Sequence, residues 1–204
     1  MSHLEILVEE PSVEAALSNL LPKIINARAT FSIYVHEGKT DLLKKLPGRL
    51  RGYSAWLPLE YRIIVLIDED RADCKNLKAA LEKTAKDAGL LTKSAAGTSA
   101  NFQVLNRVAV EELEAWFFGD SQAIVQAYPG VPLTLQTKAR FRNPDGIAGG
   151  TWEALERVLQ KAGHHRGGLA KIAAARAISA CMDPGRNQSR SFQVFRDGLL
   201  AAIS

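Results

Sequence analysis

Acidic residues gather at three places in this 204-residue chain. Glu9-Glu10 follows the apolar run Leu4–Val8, and Asp68-Glu69-Asp70 follows the five aliphatic residues Ile63–Ile67. Glu111, Glu112 and Glu114 follow Gln103–Val110, with Asp120 a little further on. Each group sits just past a stretch that reads as a strand, and open α/β sheets form their sites beyond the carboxyl ends of strands. In extended backbone Asp68 and Asp70 point the same way. Two such carboxylates beside Glu9 repel strongly unless a cation joins them. Mg²⁺ suits hard oxygen ligands and keeps several of its waters, and Mn²⁺ is a fitting substitute. The pattern therefore predicts a metal site on Asp68, Asp70 and Glu9, with Glu10, Asp73, Glu114 and Asp120 as additional acids. The plainer alternative is that these residues cap the helices that follow the strands, where acids favour the macrodipole. For Glu111 and Glu114, which share a helical face, both readings stay open.

The elements that must position these acids alternate along the chain. Strands are expected at Leu4–Val8, Thr30–Val35, Ile63–Ile67 and Gln103–Val110. Ile63–Ile67 reads as a strand buried on both faces of a parallel sheet. Helices are expected from Ser12 to Leu20, from Thr40 to Leu50, where Pro47-Gly48 breaks the pattern, and from Asp73 to Ala88, with Gly89 as the stop. This order predicts an α/β fold: an open, mainly parallel sheet with helices on both faces. Past Val110 the pattern turns helical, at Glu111–Phe118, Trp152–Ala162, Leu169–Cys181 and Phe192–Ile203, with a mobile loop at Thr137–Gly150. Residues 1–120 are thus expected to form the α/β core and residues 121–204 a helical extension packed on it.

Composition narrows the class further. No apolar run approaches the ~20 residues that span a bilayer, and the first ten residues lack the form of a signal peptide. The only cysteines, Cys74 and Cys181, lie far apart, as expected of reduced thiols in a cytoplasmic protein. Zinc-ligand spacing, a phosphate loop, a dinucleotide fingerprint and a nucleophile elbow are all missing. Residues 1–120 carry 15 Lys/Arg and 17 Asp/Glu, whereas residues 121–204 carry 11 and 5. An acidic part followed by a basic one suits chemistry beside phosphate contacts. Arg186, Arg190 and Ser191 lie near a helix start, where a phosphate is held by side chains and free N–H groups.

These residues resemble a known superfamily. Val8-Glu9-Glu10-Pro11-Ser12-Val13-Glu14 is similar to the first Toprim motif, and Ile67-Asp68-Glu69-Asp70 to its DxD motif. More narrowly, Leu7–Leu17, Asp41–Leu50, Val65–Leu77, Val108–Asp120 and Ser189–Phe195 resemble a bacterial domain-of-unknown-function family, number 4276, which is related by its motifs to Toprim nucleases of the OLD (overcoming-lysogenization-defect) type. One departure is Glu10, where a Toprim sequence commonly has glycine. The resemblance implies a general acid/base role for Glu9 and metal-ligand roles for Asp68 and Asp70. It also implies a Mg²⁺-dependent nuclease acting on DNA or RNA, in phage defence and sometimes beside an ATPase partner. The alternatives are a non-catalytic metal-binding or partner module of an ATPase, and a phosphoacceptor receiver domain, which the long helical tail fits poorly.

Overall fold

A computed structural model describes residues 1–70 and 73–204. Its sheet holds four parallel strands, β1 (Ser2–Val8), β2 (Ala29–Val35), β3 (Tyr61–Asp68) and β4 (Val104–Ala109), in the order β2-β1-β3-β4. The chain runs from β1 outward to β2, then crosses back to β3 and on to β4. The order therefore reverses between β1 and β3, which is the switch point where an open parallel sheet leaves a crevice. Val8 pairs with Leu66, and Asp68 with Ala109. Glu9 and Asp68 thus end adjacent strands on either side of that crevice.

Alternation along the strands sends side chains into two cores. Ile63, Val65 and Ile67 pack with Leu42, Leu46 and Leu50 of α2 (Lys39–Trp56) and Leu77 and Leu81 of α3 (Cys74–Asp87). Ile6, Val8, Ile64 and Leu66 face the other way, toward α1 (Pro11–Ile25). Behind α1 that second core takes in α5 (Leu113–Gly119), α6 (Ser121–Ala127), α7 (Thr151–Lys161), α8 (Lys171–Cys181) and α9 (Arg190–Ala202). The one-turn α4 (Lys93–Ala96) precedes β4. The α/β architecture with helices on both faces is as the alternation predicts. No helix among the described residues is long and apolar enough to cross a membrane.

One local expectation needs correction. Helix α2 runs straight through Pro47-Gly48 to Trp56. Its apolar stripe, Leu42, Leu46, Leu50 and Tyr53, continues past the proline, and burying Leu50 and Tyr53 outweighs the one backbone hydrogen bond that Pro47 forfeits. Thr137–Gly150 contains short 3₁₀ turns at Ala139–Phe141 and Pro144–Gly146, and it buries Phe141 and Ile147. At Gly89 the reading holds. Its φ is +76°, its N–H donates to the Lys86 carbonyl and the Leu90 N–H to that of Ala85, a Schellman stop.

The segment before α9 is bolted to α5. Asn187 Nδ2 donates to the Trp116 carbonyl at 2.7 Å, and the Gln188 N–H to that of Gly119 at 2.8 Å. A Cβ on Gly119 would stand 2.1 Å from Asn187 Oδ1 and 2.8 Å from the Ser189 backbone nitrogen. Replacing Gly119 by alanine should therefore cost about 1–3 kcal/mol of stability, seen as a lower urea midpoint. An unchanged midpoint would show that this junction yields freely.

Candidate functional site

Three carboxyl groups are buried at the switch point. Glu9 and Asp68 are each 5% exposed, and Glu114, from the first turn of α5, is 3% exposed. Glu9 Oε1 accepts the Asp68 N–H at 3.3 Å, where a strand pair would otherwise place a backbone carbonyl. Glu9 Oε2 is buried with no hydrogen-bond partner among the described residues. The backbone of Glu9 is also pinned, because the Gly38 N–H donates to its carbonyl at 2.8 Å.

Burial sets the electrostatics. Desolvation pushes the Glu9 pKa up to about 7, opposed by the Lys39 ammonium and aided by the carboxylates of Asp70 and Glu10. Burial also drives Asp68 well above the usual carboxylate range, with Glu9, Glu114 and Glu10 adding to the rise. Glu114 is raised to about 7 by the same desolvation, while Lys171 on α8 pulls it back. Lys171 is itself held in the charged form by Glu114, Glu10, Glu112 and Asp68 against its own burial, and its ammonium lies 5.3 Å from the Trp152 ring centre. The site is thus a knot of acids between two lysines.

The other predicted acids are placed differently. Strand β3 ends at Asp68, and Asp70 turns into the left-handed region at φ +51°. The expected alternation therefore stops, and Asp70 lies half exposed at the rim, paired with Lys39 at 2.5 Å. Glu111, at φ +61°, neighbours it, accepting the Asp70 N–H on its carbonyl at 2.8 Å. Two non-glycine residues in this sparsely populated region, side by side in adjoining loops, mark stored strain of the kind found at functional sites. Asp73 caps α3 through Asn76 N, and Glu10 accepts from Ser12 Oγ. For Asp73 the plain capping alternative describes the geometry, whereas the Glu10 carboxylate takes no helix N–H. Asp120 commits both oxygens to Arg186, at 2.8 Å each, and also accepts the Asp183 N–H. That pair commits Asp120 to Arg186 rather than to the acid knot, and engages Arg186 through Nε and Nη2. Ser191 donates its N–H and its Oγ–H to Asp145 and accepts from Trp116 Nε1. The anion at the start of α9 is therefore the chain's own Asp145.

Several residues that hold the site give only long-range signals. Glu112 caps α7, its Oε2 accepting from the N–H groups of Thr151 and Trp152 and from Thr151 Oγ1. Glu69 braces two loops, accepting from Cys74 N and Glu111 N. His36, one residue past β2, is 5% exposed with Nδ1 2.9 Å from the Val8 carbonyl. That bond makes Nδ1 the donor and leaves Nε2 bare, buried and unpartnered among the described residues. At the rim, on the Asp70 side, lies a cavity of about 560 Å³, lined by Asp70, Glu111, Glu112, Trp152, Glu153 and the Gly149-Gly150 backbone.

The donors fit a hard divalent cation in part. Glu9 Oε2 is a buried carboxylate oxygen with no hydrogen-bond partner among the described residues, and the acid-lined cavity reaches the rim of the site at Asp70. Among the described residues no three His, Cys, Asp or Glu side chains already stand together as a cage. Mg²⁺ needs no such cage, since it commonly takes one or two carboxylates and completes its shell with water and substrate phosphates.

The chain belongs to the DUF4276 family, a domain of unknown function, whose model matches residues 8–200. No curated protein and no solved structure matches it.

The raised acids have a consequence for stability. Between the ordinary carboxyl value of 4.5 and about 7, Glu9 and Glu114 are protonated in the folded chain and ionised in the unfolded one. The folded state then binds more protons, so their contribution is full below pH 4.5 and is lost as pH rises through about 7. Metal-free protein should lose on the order of 2 kcal/mol between pH 5 and pH 8, and Glu9→Gln should flatten the decline. Denaturant unfolding across that range measures it, and a stability that rises toward pH 8 would contradict the buried-acid description.

Proposed function

We propose that the chain is a Mg²⁺-dependent phosphodiesterase acting on nucleic acid, a nuclease of the Toprim kind. The observation that carries this reading is the buried Glu9 Oε2 beside Asp68 at the switch point, without a partner among the described residues. Asp68 and Glu9 would hold the ion, with Asp70 at the rim and Glu114 behind them. Bound there, Mg²⁺ would supply Lewis acidity toward a phosphoryl oxygen. Glu9 would also move the proton as general acid/base, the role that the Toprim resemblance gives it. Lys39 and Lys171 flank the acids and offset their charge as a phosphate approaches. The Trp152 face and the Gly149-Gly150 backbone leave room for a nucleotide in the cavity at the rim. The family resemblance extends this to phage defence beside an ATPase, with DNA and RNA both open as substrates.

The test is metal-dependent cleavage of mixed single- and double-stranded nucleic acid. Glu9→Gln and Asp68→Asn should each lower the rate by about 10²-fold or more. Mg²⁺ should raise the melting temperature of the wild type, by binding only the folded state, and Asp68→Asn should abolish that rise. Equal cleavage in wild type and Asp68→Asn would refute the assignment. Mg²⁺ uptake with no cleavage would point instead to a metal-binding partner module of an ATPase.

A further inference from the structure

The outer edge of the sheet carries chemistry opposite to that of the acid knot. A cleft of about 400 Å³ runs along the edge strand β4, between α3 and α9. Arg107 in its wall donates from Nε to the Val194 carbonyl at 3.1 Å and from Nη1 to the Asn106 carbonyl at 2.9 Å. Among the described residues it forms no ion pair with a carboxylate. A guanidinium does not give up its proton in a protein, and half-buried Arg107 has the nearby Glu82 carboxylate favouring its charge without a direct ion pair. Arg190, exposed at the start of α9, makes no side-chain hydrogen bond or ion pair among the described residues. Lys78 adds a third cation, bonded to Glu82 and, at 2.7 Å, to the Asn106 carbonyl. Asp145 also lines the cleft, but its oxygens are held by Ser189 Oγ and by the N–H and Oγ of Ser191.

Two more features narrow the ligand. Asn106 is 1% exposed, and its Nδ2 donates to Glu82 Oε1 at 3.1 Å. That contact fixes the amide's orientation, because the flipped form would set two acceptors together. Asn106 Oδ1 is left as a buried acceptor with no partner among the described residues. Val108, Val110 and Val194 give the cleft an apolar wall. A ligand that satisfies all of this is anionic at one end and flat, apolar and N–H-bearing at the other.

We propose that this cleft binds a nucleoside phosphate, with the phosphate on Arg190 and Arg107, the base against the valines, and a base N–H toward Asn106 Oδ1. The ligand can arrive as a free mononucleotide or as one unit of a single strand. The second source rests on the nuclease reading. Cys74 and Val110 bring the cleft to the carboxyl end of the sheet, and Glu69 joins Cys74 N to Glu111 N at the neighbouring acid-lined cavity. A strand crossing the edge of β4 would therefore pass from the basic cleft to the acid site.

The test uses the full chain in EDTA, so that no cleavage is needed. AMP, a deoxyadenosine hexanucleotide and inorganic phosphate are compared by calorimetry and by their protection of Cys74, which lines the cleft, from alkylation. Cys181 serves as the internal control. AMP, the hexanucleotide or both should slow Cys74 alkylation at least fivefold and leave Cys181 unchanged. Arg190→Ala should weaken that binding about tenfold, the weight of one charge-assisted hydrogen bond, and Arg190→Glu should abolish it. Arg190 is exposed, so both variants should fold. Preference for the hexanucleotide identifies a strand, and equal affinity for AMP identifies a free nucleotide. Failure of AMP and the hexanucleotide to protect Cys74 would overturn the proposal, as would protection by inorganic phosphate equal to that by AMP, or unchanged binding in both Arg190 variants. Protection of Cys74 in a protein that cleaves nothing would overturn the nuclease reading alone.

Discussion

The hydrogen bond from the Asp68 N–H to Glu9 Oε1 is the contact on which the site depends. It puts a carboxylate where the β1–β3 ladder would continue, at the point where the order of strands reverses. The acid is thereby carried out of water one residue past the end of β1, held by the Asp68 N–H on its side chain and the Gly38 N–H on its carbonyl. The buried position raises its pKa, and the same holds for Asp68 and Glu114 beside it. A fold gains nothing from three desolvated carboxyls. The proposed cation site would give their position a role.

Everything around the knot works to hold it in place. The hydrophobic runs of β1 and β3 are buried on both faces, so the strand ends cannot shift without exposing both cores. The loops after β3 and β4 are tied to each other through Glu69 and the Asp70–Glu111 contact, and α7 is docked by Glu112. The helical second part is clamped from behind by the Asp120–Arg186 pair, by Asn187 on α5 and by Asp145 at the start of α9. Much of the acidity and basicity that looks available for catalysis in sequence is used for this bracing.

What could be read from the sequence follows from the range of each interaction. The strands were legible because parallel strands buried on both faces leave continuous aliphatic runs, as in Ile63–Ile67. Glu9 and Asp68 were legible because each directly follows such a run. Pro47-Gly48 has the form of a helix stop, but the spacing of Leu42, Leu46, Leu50 and Tyr53 carries α2 across it. The DxD alternation failed because it assumed extended backbone one residue too far, and Asp70 turns left-handed instead. The Asp120–Arg186 pair joins residues 66 positions apart, and a single sequence holds no signal of such a partner. His36 passed unnoticed because one histidine after a strand has no motif, and only its burial and bare Nε2 set it apart.

The central claim is that the acids at the switch point converge on a cation. It is tested most directly by anomalous scattering from a crystal soaked in Mn²⁺ at neutral pH. The account predicts one strong peak within ligand distance of Glu9 Oε2 and the Asp68 carboxylate, absent from crystals of Asp68→Asn. A peak confined to the rim acids Asp70, Glu111 and Glu153, or no peak while Mn²⁺ saturates other sites, would contradict it.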